Sequence, residues 1–385
     1  MGLLKTWQKN KSEIIALGSG AMPSFMYGKQ QFSDIPVFCF HSARFPDFEK
    51  QLAFLSANGF KTLDADELLE RRLDPHYKNN GKEIALTFDD GLASVWTVAF
   101  PLLEKYQQKI ISFVLPEMMI DGSASRTIAG DITSIERDQL VNRDYSDSPL
   151  CTWSEIKNMH ESGLVDIQSH GTHHQRVATS SNIVDFIHPD FDLHHYGNIH
   201  VPRYRSGEVY SREPILGHPV YEYAPLLGQR QEYLDPLELR EHLADYVNAK
   251  GGKSFFSQTG WREQLYKQVS DYRALHKGPE AFRSLDDDIK QELSVAKQLI
   301  EEKLAKKVNH FCFPWFAASE YSARLAFECG YQSVHLGALP GFSFTQDQNM
   351  PDMVTRLQEE FLLALPNYRS KLAPFTYKLT KKAQW

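Results

Sequence analysis

The sequence predicts an α/β chain organised around a parallel sheet or barrel. Two observations carry this reading. Short apolar runs of strand length alternate with segments whose apolar residues recur at helical spacing. Two of the runs end abruptly in clusters of carboxylates or imidazoles, as expected where ligands gather at the C-terminal strand ends of such sheets. The chain has 385 residues, 42% apolar and 24% charged, which suits a soluble domain with a sizeable core.

Residues 35–40 (IPVFCF) form the first strand, ended by His41. In 45–58, Phe48, Leu52 and Leu55 share one helical face, and Gly59 stops the helix. KTLDADELLERRL then reads as a short strand and a helix with Asp64 or Asp66 as its cap. EIALTF, 83–88, is the clearest strand, cut off by Asp89, Asp90 and Gly91. A helix over 93–107 precedes a strand at 109–115, and a helix over 152–163 precedes a strand at 164–169. Between 183 and 283 the texture changes to Pro, Gly, His and Tyr, with no long periodic element before 235–249. This region reads as a folded insertion, being too aromatic for a disordered linker. The alternation resumes with a helix at 285–306, a strand at 308–313, a helix at 319–329 and a strand at 331–336. The expected organisation is an extension over 1–34, a barrel over 35–340 including the insertion, and a C-terminal extension over 341–385.

A net charge of −7 without a basic stripe argues against nucleic-acid binding. The four cysteines, Cys39, Cys151, Cys312 and Cys329, form no CxxC pair, so buried free thiols are expected, with neither a disulfide framework nor a cysteine zinc site. The longest apolar stretch near the N-terminus, IIAL, is too short for a signal segment, and nothing reaches the ~18 apolar residues of a membrane span. The expectation is a cytoplasmic protein. Met1-Gly2 is supported as a lipidation site only by Thr6.

TFDDG (87–91) places two adjacent carboxylates at the end of a buried strand, which is costly unless their charge is used. Taken alone, Asp-Gly is more often a plain turn. SHGTHH (169–174) also follows a strand. In an extended chain His170 and His174 would lie ~13 Å apart. If the chain coils after His170, as Gly171 permits, they come within ~5–6 Å at Cβ. In isolation the pair reads more readily as a surface loop. Together the two signals are stronger, because both sit at strand ends that share one rim of a barrel. One carboxylate and two imidazoles make a three-ligand site with open positions, the arrangement of a catalytic metal.

TFDDG followed by SHGTHH resembles the first two motifs of the polysaccharide deacetylase family, the NodB-homology or carbohydrate esterase family 4 proteins. TWSEIKNMHESGLVDIQSH resembles the approach to the second motif, FCFPWF (311–316) the third, and FECGYQSV (327–334) the strand after it. IPVFCFH with FEKQLAFLSANGFKTLDADEL resembles the N-terminal segment of a subgroup that includes poly-N-acetylglucosamine deacetylases. The resemblance covers roughly 35–178 and 285–340. It implies a distorted (β/α) barrel, a divalent metal, usually zinc, and hydrolysis of acetyl groups from N-acetylated sugars of a glycan; the expected cytoplasmic location points to a lipid- or nucleotide-linked precursor as substrate. It matches Asp90, His170 and His174 to the metal ligands, Asp89 to the general base, and Thr87 and Phe88 to the strand residues that set the carboxylates. His41 resembles the subgroup's general acid, with a satisfied core histidine the equal alternative and His335 the rival acid. Phe313, Pro314 and Trp315, with His335, are the candidate pocket residues. His173 is expected to face outward or to touch substrate. The histidines of the insertion read as loop residues.

One departure stands out. Many members carry an arginine in the third motif that holds the catalytic aspartate, and here Phe311 and Cys312 occupy that neighbourhood. Arg203, Arg205, Arg212 and Arg356 are candidates to replace it. The departure keeps open a catalytically weak sugar-binding protein on the same fold. An O-acetyl esterase or a non-sugar amidase is the third reading, because fold does not fix substrate.

Overall fold

The computed structural model describes residues 15, 18–19, 22–29, 34–121, 149–191, 203–205, 208–210, 215–337, 350–368, 372–374 and 376. Its strands and helices begin with β1 (Val37–Phe40), α1 (Asp47–Ala57), β2 (Lys61–Thr62), α2 (Ala65–Leu73), β3 (Glu83–Phe88), α3 (Phe100–Tyr106), β4 (Ile110–Val114), α4 (Trp153–Glu161) and β5 (Val165–Ser169). Next come β6 (Arg176–Phe186), β7 (Arg203–Arg205), β8 (Glu208–Tyr210), β9 (Pro219–Pro225), β10 (Gln231–Tyr233), α5 (Leu237–Ala249), α6 (Trp261–Leu275) and β11 (Phe282–Ser284). The chain continues through α7 (Asp286–Leu304), β12 (His310–Cys312), α8 (Glu320–Glu328), β13 (Ser333–Leu336), β14 (Asp352–Thr355) and β15 (Leu357–Gln358). They divide into two compact units. The first holds 1–172, 294–316 and 326–385; the second holds 173–293 and 317–325.

The first unit is a (β/α) barrel. Its strands run in the order β14-β13-β12-β5-β4-β3-β1-β15, with β2 also paired to β3, and every pair is parallel. β14 lies on β13 and β15 on β1, and Arg356 alone separates the two in the chain. The two ends of the sheet therefore meet at a single residue. The expected C-terminal extension from 341 is corrected here: residues 352–358 are a barrel strand, short and interrupted, which hid it from a periodicity reading.

Local chemistry explains the helix ends. Asp64 caps α2 and Thr152 caps α4, each in a reciprocal capping box with Glu67 and Glu155. After α1, Gly59 takes a left-handed φ of 68° and Phe60 N–H donates to Leu55 O at 2.9 Å, closing the helix end. α1 buries Phe48, Leu52 and Leu55, each contributing about 1.5–3 kcal/mol of apolar burial. Val37, Ala85, Ile111, Phe113, Cys312 and Val354 pack together as one core cluster, joined by Leu63, Ala65 and Leu68.

The second unit has its own core, in which Phe186, Tyr221, Leu243, Val247, Phe255 and Leu265 are buried together. It contains the antiparallel pairs β6–β9, β10–β11 and β7–β8, and the helices α5 and α6. It begins at 173 and runs to 293, wider at both ends than the insertion expected over 183–283. β6 escaped notice because Ser180, Ser181 and Asn182 interrupt its apolar pattern, and the pairing register shifts there.

Candidate metal centre

The centre is built where β3 and β5 end. Asp89 continues the β1–β3 ladder, its N–H donating to Phe40 O at 3.0 Å. Asp90 and Gly91 then take left-handed φ angles of 69° each, which turns the chain sharply after the strand. On the other side, His170 N–H donates to Val114 O at 3.0 Å, after which Gly171 (φ 85°) and His174 (φ 59°) coil the loop. As a result Asp90, His170 and His174 each present a ligand atom within 4.8 Å of the others.

His170 is buried, and its Nδ1 lies 2.9 Å from Cys312 O. A carbonyl only accepts, so Nδ1 carries the proton and Nε2 is directed at Asp90 Oδ1, 3.3 Å away. Nε2 and Asp90 Oδ1 are close enough to serve as ligands of one cation. The spacing matches the edge of about 3.4 Å that bonds of ~2.1 Å give in a tetrahedron. One carboxylate and two imidazoles with a satisfied outer hydrogen bond therefore fit a divalent ion.

Asp89, His170 and Cys312 also bring ligand atoms within 4.8 Å. That set fits a metal less well. Burial pushes the Cys312 thiol well above its ordinary value, only partly offset by Arg356, so it stays protonated. Both Asp89 oxygens are already engaged.

Asp89 is 2% exposed and sits in a cage of donors. Arg356 clamps it bidentately, Nη1 to Oδ1 at 2.6 Å and Nη2 to Oδ2 at 2.9 Å. Nη1 also donates to Thr87 Oγ1 at 3.1 Å, and Thr87 donates to Phe38 O at 3.1 Å. The thiols of Cys39 and Cys312 approach Oδ2 and Oδ1 at 3.5 and 3.6 Å. Burial alone would raise the Asp89 carboxyl. The Arg356 guanidinium outweighs it, with help from His170 and His41, and holds the group well below the usual carboxylate range. Asp89 is thus a fixed anion. Its two thiol contacts are the weakest of its bonds and the easiest for a water to displace.

Arg356 fills the place left by the missing third-motif arginine. Of the other candidates, Arg203 and Arg205 lie in β7, in the second unit, and Arg212 lies outside the described residues. Sequence reasoning reached Arg356 only as one of four, because its chain neighbours carry no motif.

His41 follows directly after β1, at the same strand end as Asp89, and is half-buried. Phe313 and Pro314 are buried, whereas Trp315 is 41% exposed. His335 is sealed inside the barrel at 0% exposure, against the Phe113 ring and with Ser333 Oγ 3.4 Å from its Nε2. Burial, reinforced by the charge of Arg356, holds its pKa well below the ordinary histidine value. The expectation of His335 as a pocket residue or acid is corrected: an enclosed imidazole reaches no substrate, and its neutral form is too weak an acid for the role. His173 is also buried rather than outward, its N–H donating to Glu292 Oε1 at 3.2 Å. Two residues missed in the sequence are Phe316, whose ring meets His41 edge-on, and Gly337, packed beneath it.

Residues 76–187 match the family model described as polysaccharide deacetylase. The chain is 27% identical over 176 residues to the poly-beta-1,6-N-acetyl-D-glucosamine N-deacetylase of Escherichia coli strain K12, and equally to that of strain O157:H7. The match covers 46% of this chain and 24% of the relative, so the chain spans about a quarter of the length of these relatives. Among solved structures, similar ones include the deacetylase domain of BpsB from Bordetella bronchiseptica, 16% identical with a TM-score of 0.47 over 85% of this chain and 97% of that one. A de-N-acetylase from Aggregatibacter actinomycetemcomitans is 15% identical with a TM-score of 0.46, over 84% and 94%. Among the described residues no helix is long and apolar enough to cross a membrane.

Proposed function

We propose that the chain is a hydrolase that removes acetyl groups from N-acetylated sugars of a glycan, using a divalent metal, zinc first among candidates, held by Asp90, His170 and His174. The observation that carries the reading is the pairing of that ligand set with a second, adjacent carboxylate kept ionised by Arg356. A ligand and a neighbouring ionised carboxylate outside the ligand set are what metal-assisted hydrolysis asks for, and a sugar-binding module needs neither. The departure that favoured a binding-only reading loses its weight once an arginine from another strand holds Asp89. The names of the relatives support poly-N-acetylglucosamine as the substrate class.

When bound, such an ion supplies a Lewis acid that acidifies water and polarises an acetyl carbonyl. Asp89 takes the proton of the attacking water on the carboxylate oxygen that a thiol gives up. Arg356 keeps the resulting acid in place and makes it a ready donor of that proton. His41, at the neighbouring strand end, protonates the departing amine nitrogen, which is a poor leaving group without it. Trp315 offers an exposed aromatic face to a sugar ring.

The test is metal content and acetate release from acetylated sugars for the wild type, Asp89→Asn and His170→Ala. Asp89→Asn is expected to keep the metal and lose turnover by about 10²-fold or more. His170→Ala is expected to lose both. Equal turnover in all three proteins would move the chemistry to another site.

A further inference from the structure

We propose that Phe316 is a positioning residue for His41, seated by a left-handed turn and by the missing side chain at Gly337. The inference rests on the deacetylase reading with His41 as the acid.

Three independent features of the barrel unit converge on this ring. The first is backbone. Trp315 and Phe316 both take left-handed φ angles, 58° and 54°, a conformation that side-chain-bearing residues rarely adopt in succession. Phe316 N–H donates to Phe313 O at 3.2 Å, and Phe313 N–H donates to His335 O at 3.1 Å, which ties the turn to β13. Such unfavourable dihedrals persist where the surroundings over-determine them, and they cluster at functional sites.

The second is space. A Cβ at Gly337 would meet Phe316 Cγ at 2.6 Å, Cβ at 2.7 Å and Cδ1 at 2.9 Å. Gly337 does not adopt a left-handed φ, so its lack of a side chain serves this contact rather than a turn. The strand end at β13 is hollowed to seat the ring.

The third is what the ring touches. The His41 imidazole stands perpendicular to it, with centroids 6.3 Å apart at 89°. The Arg356 guanidinium carbon lies 5.3 Å from its centroid. Edge-to-face contact restricts the tilt of an imidazole, and the ring face favours a cation. One phenyl ring therefore spans from the proton donor to the clamp on Asp89, fixing the direction in which His41 presents its proton. Phe316 touches no reacting atom and acts only through His41 and Arg356.

A structural role and a positioning role separate by leaving group. Loss of an acetylated amine requires protonation; loss of 4-nitrophenolate does not. Steady-state kinetics would be measured on a short β-1,6-linked N-acetylglucosamine oligomer and on 4-nitrophenyl acetate, for the wild type, Phe316→Ala, Phe316→Tyr, Gly337→Ala and His41→Ala. Phe316→Ala and Gly337→Ala are expected to lower kcat on the oligomer by about tenfold or more, with KM changed by less than about twofold and ester turnover by less than about threefold. Phe316→Tyr keeps the ring and is expected to retain oligomer turnover. His41→Ala is expected to show the same split, more strongly. Equal losses on both substrates, or none on the oligomer, would overturn the positioning role. Unchanged oligomer turnover in His41→Ala would remove the acid it is said to position. A wild type that releases no acetate from the oligomer sinks the deacetylase reading, and the inference with it.

Discussion

Removing the Arg356 guanidinium leaves the Asp89 carboxylate buried without its hydrogen-bonded countercharge. Breaking a buried pair from one side costs about 3–5 kcal/mol, because the surviving charge is stranded. Arg356→Met should therefore lower the urea midpoint sharply and abolish turnover. The double variant Arg356→Met with Asp89→Asn should recover much of the stability, though no activity. Additive losses in the pair would show that the two groups are not coupled. His335 gives a separate residue-scale expectation in pH. Its folded pKa lies well below the ordinary value, first through burial and then through the charge of Arg356, His310 and Arg72. Between that depressed pKa and about 6.5 the unfolded chain binds a proton that the folded chain refuses, so stability rises with pH in this window and falls on acidification below about 6.5. Urea unfolding at stepped pH should show the slope, and His335→Leu should flatten it. At this scale the sequence was informative where a motif spans a few consecutive residues, as at Asp89, Asp90, His170 and His174. It could not single out partners brought in from far along the chain: Arg356 stood as one of four candidates, and the contact of Phe316 with His41 did not show.

Turns at the strand ends decide whether those side chains converge, and they can be probed by adding one carbon. Gly59 and Gly91 have nearly the same left-handed φ, 68° and 69°, but a Cβ at Gly59 meets nothing within 4 Å whereas one at Gly91 runs into the Met119 methyl and approaches Val114 Cγ1 at 3.2 Å. Both Gly→Ala changes should cost about 1–2 kcal/mol of backbone strain. Only Gly91→Ala should also weaken metal binding, because it displaces the turn that carries Asp90. Unfolding midpoints and metal titration on the two variants separate the effects; equal metal affinity would detach the turn from the site. Elements with a strong period and marked ends, such as α1, α4 and β3, were legible in advance, since spacing and glycine stops encode them directly. The short or interrupted strands were not. β14 and β15 give four and two residues of ladder, too few for any period to register.

For the whole barrel, that interrupted strand is the joint. A chain ending at residue 349 would lack the ladders to β13 and β1 and the Asp89 clamp together. It should lose the barrel's cooperative thermal transition and bind no stoichiometric metal. A sharp melt at the full-length temperature would mean that the ring holds without its last strand. Barrel class was readable from strand–helix alternation, whereas ring closure was not, because it depends on one residue serving two neighbours. The bond between Arg356 and Asp89 spans 267 positions of sequence. During synthesis the acidic loop leaves the ribosome long before its guanidinium partner exists, so an unfinished nascent chain carries the motif without the means to use it. Activity should switch on only once residue 356 has been made, and products that stop short of it should be chemically silent.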